Sequence, residues 1–525
     1  MLSGVVRALQ DQAMPVRVDA ATALGAFVES PEAVAKLKPN LSQLLSVLFE
    51  MITGAGNEEV IETLGLITEH FKADMAPYAV QMVTLLAQTF VQMMQDGDDD
   101  DEDEEDSGHA QMGCVRVIHE VLTSVKGMHE LWPALEAQLL PLLTQMIAPE
   151  GIEFLDEILD LVLELVAGSP QVTPGLWSLL PRVVAAHSGS APDYQDGFAY
   201  DYLENILPVI QAYLEKGSDY ICSPQCPQDI HGILHHMIRG VLDNDDAAEQ
   251  DCHAAVWLAC AVLQRCNGKM DDRIPAYLEL AVAQLKKEVA EDTKQKASGQ
   301  YDASMQQRGD ALKRIYFNLI ANILIYNPVL GLRLLEQANA TGEIFALWFS
   351  LIPSYEEAPK REQQTVVLAF SNLLQLAELP TTVQAEAGRM METVVGLCSL
   401  LAERQEEEGE EGDEGEDDAP PVTCQDEYDV EDDEDIQRST KTFSELDFEA
   451  MFGDDGMFGE EDEEMEKLPM DDVDALVVFS SMLQGMQTAN PAMFNSLYGN
   501  LSADNKAKIE MIGQAARAGA AAGAN

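Results

Sequence analysis

Val16-Arg17-Val18-Asp19-Ala20-Ala21-Thr22-Ala23-Leu24-Gly25-Ala26-Phe27-Val28 returns an apolar side chain at three- and four-residue steps, the spacing of one face of an α-helix. The same period continues along the chain. It predicts helices near 41–54, 57–71, 75–95, 109–125, 132–147, 151–167, 174–187, 197–215, 227–243, 247–266, 271–290, 308–326, 328–350, 357–377 and 381–404. Between them lie turn-forming residues, as in Gly54-Ala55-Gly56-Asn57, Gly168-Ser169-Pro170 and Asp243-Asn244-Asp245-Asp246.

Pairing neighbouring helices gives units starting near 15, 57, 109, 151, 197, 247, 308 and 357. Most are about 40–50 residues apart, the period of HEAT-type helical hairpins. No strand-like alternation competes. The expected fold class is therefore all-α: a superhelical solenoid of HEAT-type helical hairpins with disordered acidic insertions. Such a stack presents long concave surfaces suited to wrapping partners.

Composition narrows the function. The 525 residues carry 31 Lys and Arg against 92 Asp and Glu, a formal charge of −61. That field repels nucleic acid and anionic lipid, because phosphate binding needs clustered Lys and Arg. It attracts basic proteins such as histones and ribosomal proteins. Eight cysteines are too sparse for a disulfide framework, and no run of apolar residues is long enough to span a membrane. Nothing at the start resembles a secretory signal, so a soluble intracellular protein is expected.

Three segments break the helical pattern. An acidic loop covers 96–108, a polar and mobile insertion 291–306, and a disordered acidic tail 405–469. The solenoid accordingly extends over 1–404, and helices return in a C-terminal segment, 470–525. There Val473–Leu483 is amphipathic, Asn490-Pro491 opens a further turn, and Ser502 is placed to cap a last helix. Within the tail, Thr442–Phe452 carries apolar residues among acidic ones, the pattern either of a short groove-docking helix or of a plain spacer.

The candidate cargo-binding residues are the acidic runs. They are Asp98, Asp99, Asp100, Asp101, Glu102, Asp103, Glu104, Glu105 and Asp106 in the loop, with Glu406, Glu407, Glu408, Glu431, Asp432 and Asp433 in the tail. Each run is either a solvated insertion or a polyanion that captures basic partners. One exposed ion pair is worth roughly 0–1 kcal/mol, but many together steer encounter.

Cys222, Cys226, His231 and His235 have the ligand types of a zinc site, although the two pairs stand closer than in a zinc finger. Buried, inert thiols are the alternative, and no metal or other cofactor is assigned. There is no phosphate-cradling glycine loop, nucleophile elbow or dinucleotide fingerprint, so no enzyme is expected and no catalytic residue is named.

The order of segments resembles the importin 7/8 class of the importin-beta (karyopherin-beta) superfamily. Four places carry the likeness: Pro15–Leu24, Asp251-Cys252-His253-Ala254-Ala255, the acidic segment followed by Asp471–Gln487, and Asn490–Leu497 with Asn505-Lys506-Ala507 beyond it. The resemblance implies a nuclear import receptor, shuttling between cytoplasm and nucleus, that carries ribosomal proteins or histones and releases them to Ran-GTP. It also implies nucleoporins and other importin-beta proteins as partners. The matched segments correspond to the C-terminal half of that family, so Ran contact is expected mainly through an N-terminal half. A HEAT-repeat scaffold or acidic chaperone for basic proteins is the second reading.

Overall fold

The computed structural model describes residues 2–55, 57–96, 104–190, 194, 197–223, 226, 229–299, 302–413 and 467–522, with backbone alone at 54–55, 96, 104–107, 406–413 and 518–522. No strand occurs among the described residues, and none of their helices is long and apolar enough to cross a membrane. The all-α hairpin fold expected from the sequence is what forms. Helices group into two compact units, Met1–Arg273 and Ile274–Asn525, where periodicity suggests a single stack.

In the first unit the helices make two layers. Met14–Val28, Glu58–Phe71, Glu104–Ser124, Leu155–Gly168, Leu203–Ile221 and Glu249–Arg265 pack in succession along one layer. Leu41–Ala55, Ala79–Asp96 and Trp132–Met146 follow one another in the second, as do Leu180–Ser188 and Ile230–Leu242. The hairpins pair Ala79–Asp96 with Glu104–Ser124 and Trp132–Met146 with Leu155–Gly168, one helix out of step with the pairing read from sequence. Periodicity locates helices; it does not say which neighbour shares the larger interface.

Hydrogen bonds between successive hairpins carry the repeat length. Thr63 Oγ1 donates to the Ala21 carbonyl 42 residues earlier (3.1 Å), and the Tyr194 hydroxyl to Ile147, 47 earlier (2.8 Å). Tyr213 reaches Leu176 across 37 residues, and Asn372 reaches Ile325 across 47. Each joins a side chain to a backbone carbonyl of the preceding repeat, so the stack is tied by polar groups as well as by its Leu, Ile and Val layers.

The helix that opens the sequence argument buries Ala20, Ala21, Leu24, Gly25 and Val28, while Val16 stays 41% exposed. Its contact face is thus made mostly of small residues. Gly25 receives Leu66 from the next helix of that layer, a Cβ at 25 lying only 3.0 Å from the leucine methyl.

In the second unit Ile274–Ser298 and Ala303–Tyr326 form a hairpin, and the latter packs on Lys360–Leu374 and that on Ala387–Asp413. The expected mobile insertion at 291–306 is therefore largely helix. Its Asp292 binds Lys313 Nζ at 2.6 Å, which fixes the polar end of the hairpin. The helix expected over 328–350 is two, Pro328–Gln337 and Thr341–Leu351, parted at Asn339 with φ +51°, a conformation asparagine tolerates.

After the acidic segment the chain returns onto this unit. Ala475–Ala489 and Ala503–Ala522 lie against Lys360–Leu374 and Ala387–Asp413, burying Phe479, Met482 and Ile512. Asp471 locks the return point by accepting from Arg361 Nε (3.1 Å) and pairing with Arg361 Nη2 (2.9 Å). The two expected start signals hold, Asn490 accepting from Met493 N–H and Ser502 from Asn505 N–H, and Asp474 caps the first helix.

One buried histidine gives this fold a pH dependence. His187 is 3% exposed and stacks on Tyr200, ring centroids 5.1 Å apart. Burial pushes its imidazole down to about 4 from the usual 6.5, against the opposing pull of Asp251 and Asp201. The unfolded chain therefore takes up a proton near pH 6.5 that the folded chain refuses. Stability is complete above that pH and is lost as pH falls toward 4, by roughly 3 kcal/mol at most. Urea midpoints at pH 7 and pH 4.5 should diverge less in His187→Leu than in the native chain. An equal divergence would place the acid sensitivity elsewhere.

Candidate protein-docking face

One helix, Leu155–Gly168, carries an acidic stripe. Its apolar face buries Leu155, Ile158, Leu159, Leu161, Val162, Leu165 and Val166. The opposite stripe carries Asp156, Glu157, Asp160 and Glu164, at one- and four-residue steps, so all four lie to one side. Asp201, on the 3₁₀ turn Tyr200–Tyr202, joins them electrostatically.

Two cations partly answer this charge. Arg116 Nη2 stands 3.6 Å from Glu157, and Lys126 Nζ 3.4 Å from Glu164. Arg116 comes from the neighbouring helix Glu104–Ser124 and Lys126 from the turn that follows it; both are 60–70% exposed, so screening by water keeps each pair weak. Asp156 is left in a negative field. Burial, then Glu157 and Asp160, raise its carboxyl above the usual range, and the Tyr202 phenol is raised by burial and by Asp156, Asp201 and Glu157. A surface that resists its own ionisation gains free energy when a cationic partner arrives.

Asp98, Asp99, Asp100, Asp101, Glu102 and Asp103 lie outside the described residues, as do Glu431, Asp432 and Asp433 and the segment Thr442–Phe452. Glu104, Glu105 and Asp106 were expected in a loop; their backbone is the first turn of the helix Glu104–Ser124. Acidic residues are generally favoured in a first helical turn, at the positive end of the dipole. Glu406, Glu407 and Glu408 likewise belong to helix, Ala387–Asp413, rather than to a tail starting at 405. Glutamate has high helix propensity, and the helix is anchored upstream by buried Met391, Val394, Cys398 and Leu401.

The helix Glu104–Ser124 packs on Leu155–Gly168, the helix that carries the stripe. The stripe was not among the candidates read from sequence. Its signal was present, since Asp156, Glu157, Asp160 and Glu164 fall on the polar side of a strongly periodic helix, but the longer runs overshadow four isolated acids.

Of the proposed thiol–imidazole set, Cys222 Sγ and His231 Nε2 meet at 3.7 Å. Their third companion is Cys266, whose sulfur lies within 4.8 Å of both ligand atoms; Cys226 and His235 are not in this group. A groove of about 490 Å³ between Leu41–Ala55 and Ala79–Asp96 is lined by Ser46, Phe49, Glu50, Thr53, Gln81 and Leu85. It holds one carboxylate, paired with Arg17 at 3.5 Å, while the Ser46 and Thr53 hydroxyls donate to backbone carbonyls of their own helix.

No family model matches the chain. Among curated proteins, the Importin beta-like SAD2 homolog of Arabidopsis thaliana is 28% identical over 518 residues, covering 94% of this chain and 47% of its own length. The Probable importin-7 homolog of Dictyostelium discoideum is 26% identical over 387 residues, covering 74% and 34%. Importin-8 of Homo sapiens is 25% identical over 410 residues, covering 76% and 36%. The chain thus spans half or less of the length of these relatives.

Among solved structures, the exportin Cse1 in its cargo-free, cytoplasmic state superposes with a TM-score of 0.52 at 12% identity, over 98% of this chain and 47% of that one. That likeness is one of fold. The relatives bear out the resemblance drawn from the four sequence segments, and they are importins rather than enzymes.

Proposed function

We propose that this chain, a relative of the importin-7/8 class within the importin-beta superfamily, grips basic proteins as part of a nuclear transport receptor. The observation that carries the reading is the coincidence of that relationship with a charge of −61 and an acidic stripe at Asp156, Glu157, Asp160 and Asp201. Ribosomal proteins and histones are the cargo class, because lysine- and arginine-rich surfaces match this field. Capture is multivalent and electrostatic. Many weak pairs act together, and a competing ligand reverses them by favouring another arrangement of the repeats.

On this reading the acidic runs at 98–106, 406–408 and 431–433 raise the local concentration of cargo, and the stripe on Leu155–Gly168 orients it. Ran-GTP supplies release, and nucleoporins and other importin-beta proteins are further partners in shuttling between cytoplasm and nucleus. No direct contact with nucleic acid or membrane is part of the mechanism.

Binding of a basic ribosomal protein or histone should weaken steeply with salt. The Debye length shrinks from about 30 Å at 0.01 M to about 8 Å at 0.15 M, which removes the long-range part of the attraction. Titration across that range is expected to show a loss of about tenfold or more. Asp156→Asn with Asp160→Asn should flatten the salt slope and weaken binding about two- to fivefold, since each exposed pair is worth under about 1 kcal/mol. Affinity independent of salt would remove the electrostatic mechanism. Cargo binding unaffected by Ran-GTP, tested with the longest natural form of the chain, would favour the acidic chaperone reading.

A further inference from the structure

We propose that Cys222, His231 and Cys266 form a zinc site that staples three helix ends in the first unit. Cys222 is the C-cap of Leu203–Ile221, and Cys266 is the C-cap of Glu249–Arg265. His231 lies in the first turn of Ile230–Leu242, the helix between them in sequence. The site thus spans two successive hairpins, through residues 222, 231 and 266, which no short motif would join.

The geometry fits the ion. With metal–sulfur bonds of about 2.3 Å and metal–nitrogen bonds of about 2.0–2.1 Å, a tetrahedral site has a sulfur–nitrogen edge of about 3.6 Å. Cys222 Sγ and His231 Nε2 stand 3.7 Å apart. Hydrogen bonds join Cys222 to His231 and Cys266 to Cys222, so the three ligand atoms already lie within 4.8 Å of one another. Two thiols and an imidazole are the ligand set that zinc uses with its fourth position left to water.

Two helix C-termini end at the cysteines and direct their partial negative charge toward the sulfurs. Cys266 is 1% exposed and His231 8%, so the ligands are held within the packed layer rather than on a surface loop. On binding, each thiol releases one proton to solvent and the ring nitrogen supplies its lone pair.

The test uses the full chain without a histidine tag, purified, stripped with chelator and dialysed. Elemental analysis after zinc addition is expected to give about one zinc per chain. Cobalt(II) in its place should produce thiolate charge-transfer absorption and the visible bands of a tetrahedral ion. Cys222→Ser and Cys266→Ala should each abolish the bands, while Cys226→Ser and His235→Gln leave them. Far-ultraviolet circular dichroism of each variant separates loss of ligand from loss of fold. A misfolded Cys266→Ala is replaced by Cys266→Ser, and the metal should also raise the melting temperature of the native chain alone. Substoichiometric zinc in the native chain overturns the proposal, as does a cobalt spectrum that survives Cys266 substitution but not Cys226→Ser.

Discussion

Trp348→Ala is expected to lower the stability of the second unit by about 3–5 kcal/mol, the cost of emptying a large buried aromatic site. Trp348 is fully buried between three helices. It stacks on Phe317 of Ala303–Tyr326 at 4.9 Å, meets Phe370 of Lys360–Leu374 at 4.7 Å, and lies 6.1 Å from Phe345 of its own helix. In a chain with few aromatics this cluster supplies a disproportionate share of the contact area that joins successive hairpins.

Stacked repeats do not unfold as one two-state body, so a single melting temperature is a poor reading of this change. Hydrogen exchange resolves it. Protection should fall across Ala303–Tyr326, Thr341–Leu351 and Lys360–Leu374, and stay unchanged in Met14–Val28 and Glu58–Phe71. Trp348→Phe should restore most of it, since a ring remains to fill the site. Uniform loss over both units would mean that they unfold as one cooperative body, contrary to the division at Arg273.

Most helices are legible in the sequence because their apolar positions repeat with the helix period, and the caps at Asn490 and Ser502 can be read one by one. Polar helices are not legible in the same way. Ile274–Ser298 ends in a run of Lys, Glu, Asp and Gln that has no apolar face to detect, and it is held by a partner at Lys313 in the next helix. The acidic stretches mislead for a related reason. High charge signals solvation, yet Glu104–Asp106 and Glu406–Glu408 extend helices already anchored by buried neighbours.

The site residues divide along the same line. Asp156, Glu157, Asp160 and Glu164 sit within nine residues of one helix, so a helical wheel of the sequence exposes them as a stripe. Cys266 is different. Its meeting with Cys222 depends on how two successive hairpins stack, and spacing within a single motif points instead to Cys226 and His235. Local pattern therefore gives elements and faces, whereas contacts between repeats need the stack itself. The grip assigned to this chain is of the second kind, because a cargo surface would touch several repeats at once.

Replacing Lys313 by methionine should cost about 3–5 kcal/mol, the penalty for removing one partner of a buried ion pair. Lys313 is 4% exposed and its Nζ lies 2.6 Å from Asp292 and 3.0 Å from Asp310, themselves 15% and 21% exposed. Burial alone would push the ammonium down, but the hydrogen bonds it donates to Asp292 and then Asp310 outweigh it and hold the group above the usual lysine range. The cation's contribution is therefore complete below the ordinary lysine pKa and lost only as pH rises through the elevated one. In Lys313→Met two carboxylates face each other and a thioether. Lys313→Met combined with Asp292→Leu removes one of the two stranded charges, leaving Asp310, and should recover part of the loss, a coupling that the double-mutant cycle reads directly. Hydrogen exchange in Ile274–Ser298 is the local gauge. If Lys313→Met leaves protection there intact, the polar end of this hairpin owes its order to something other than its central cation, and the helical reading of 291–298 loses its physical support.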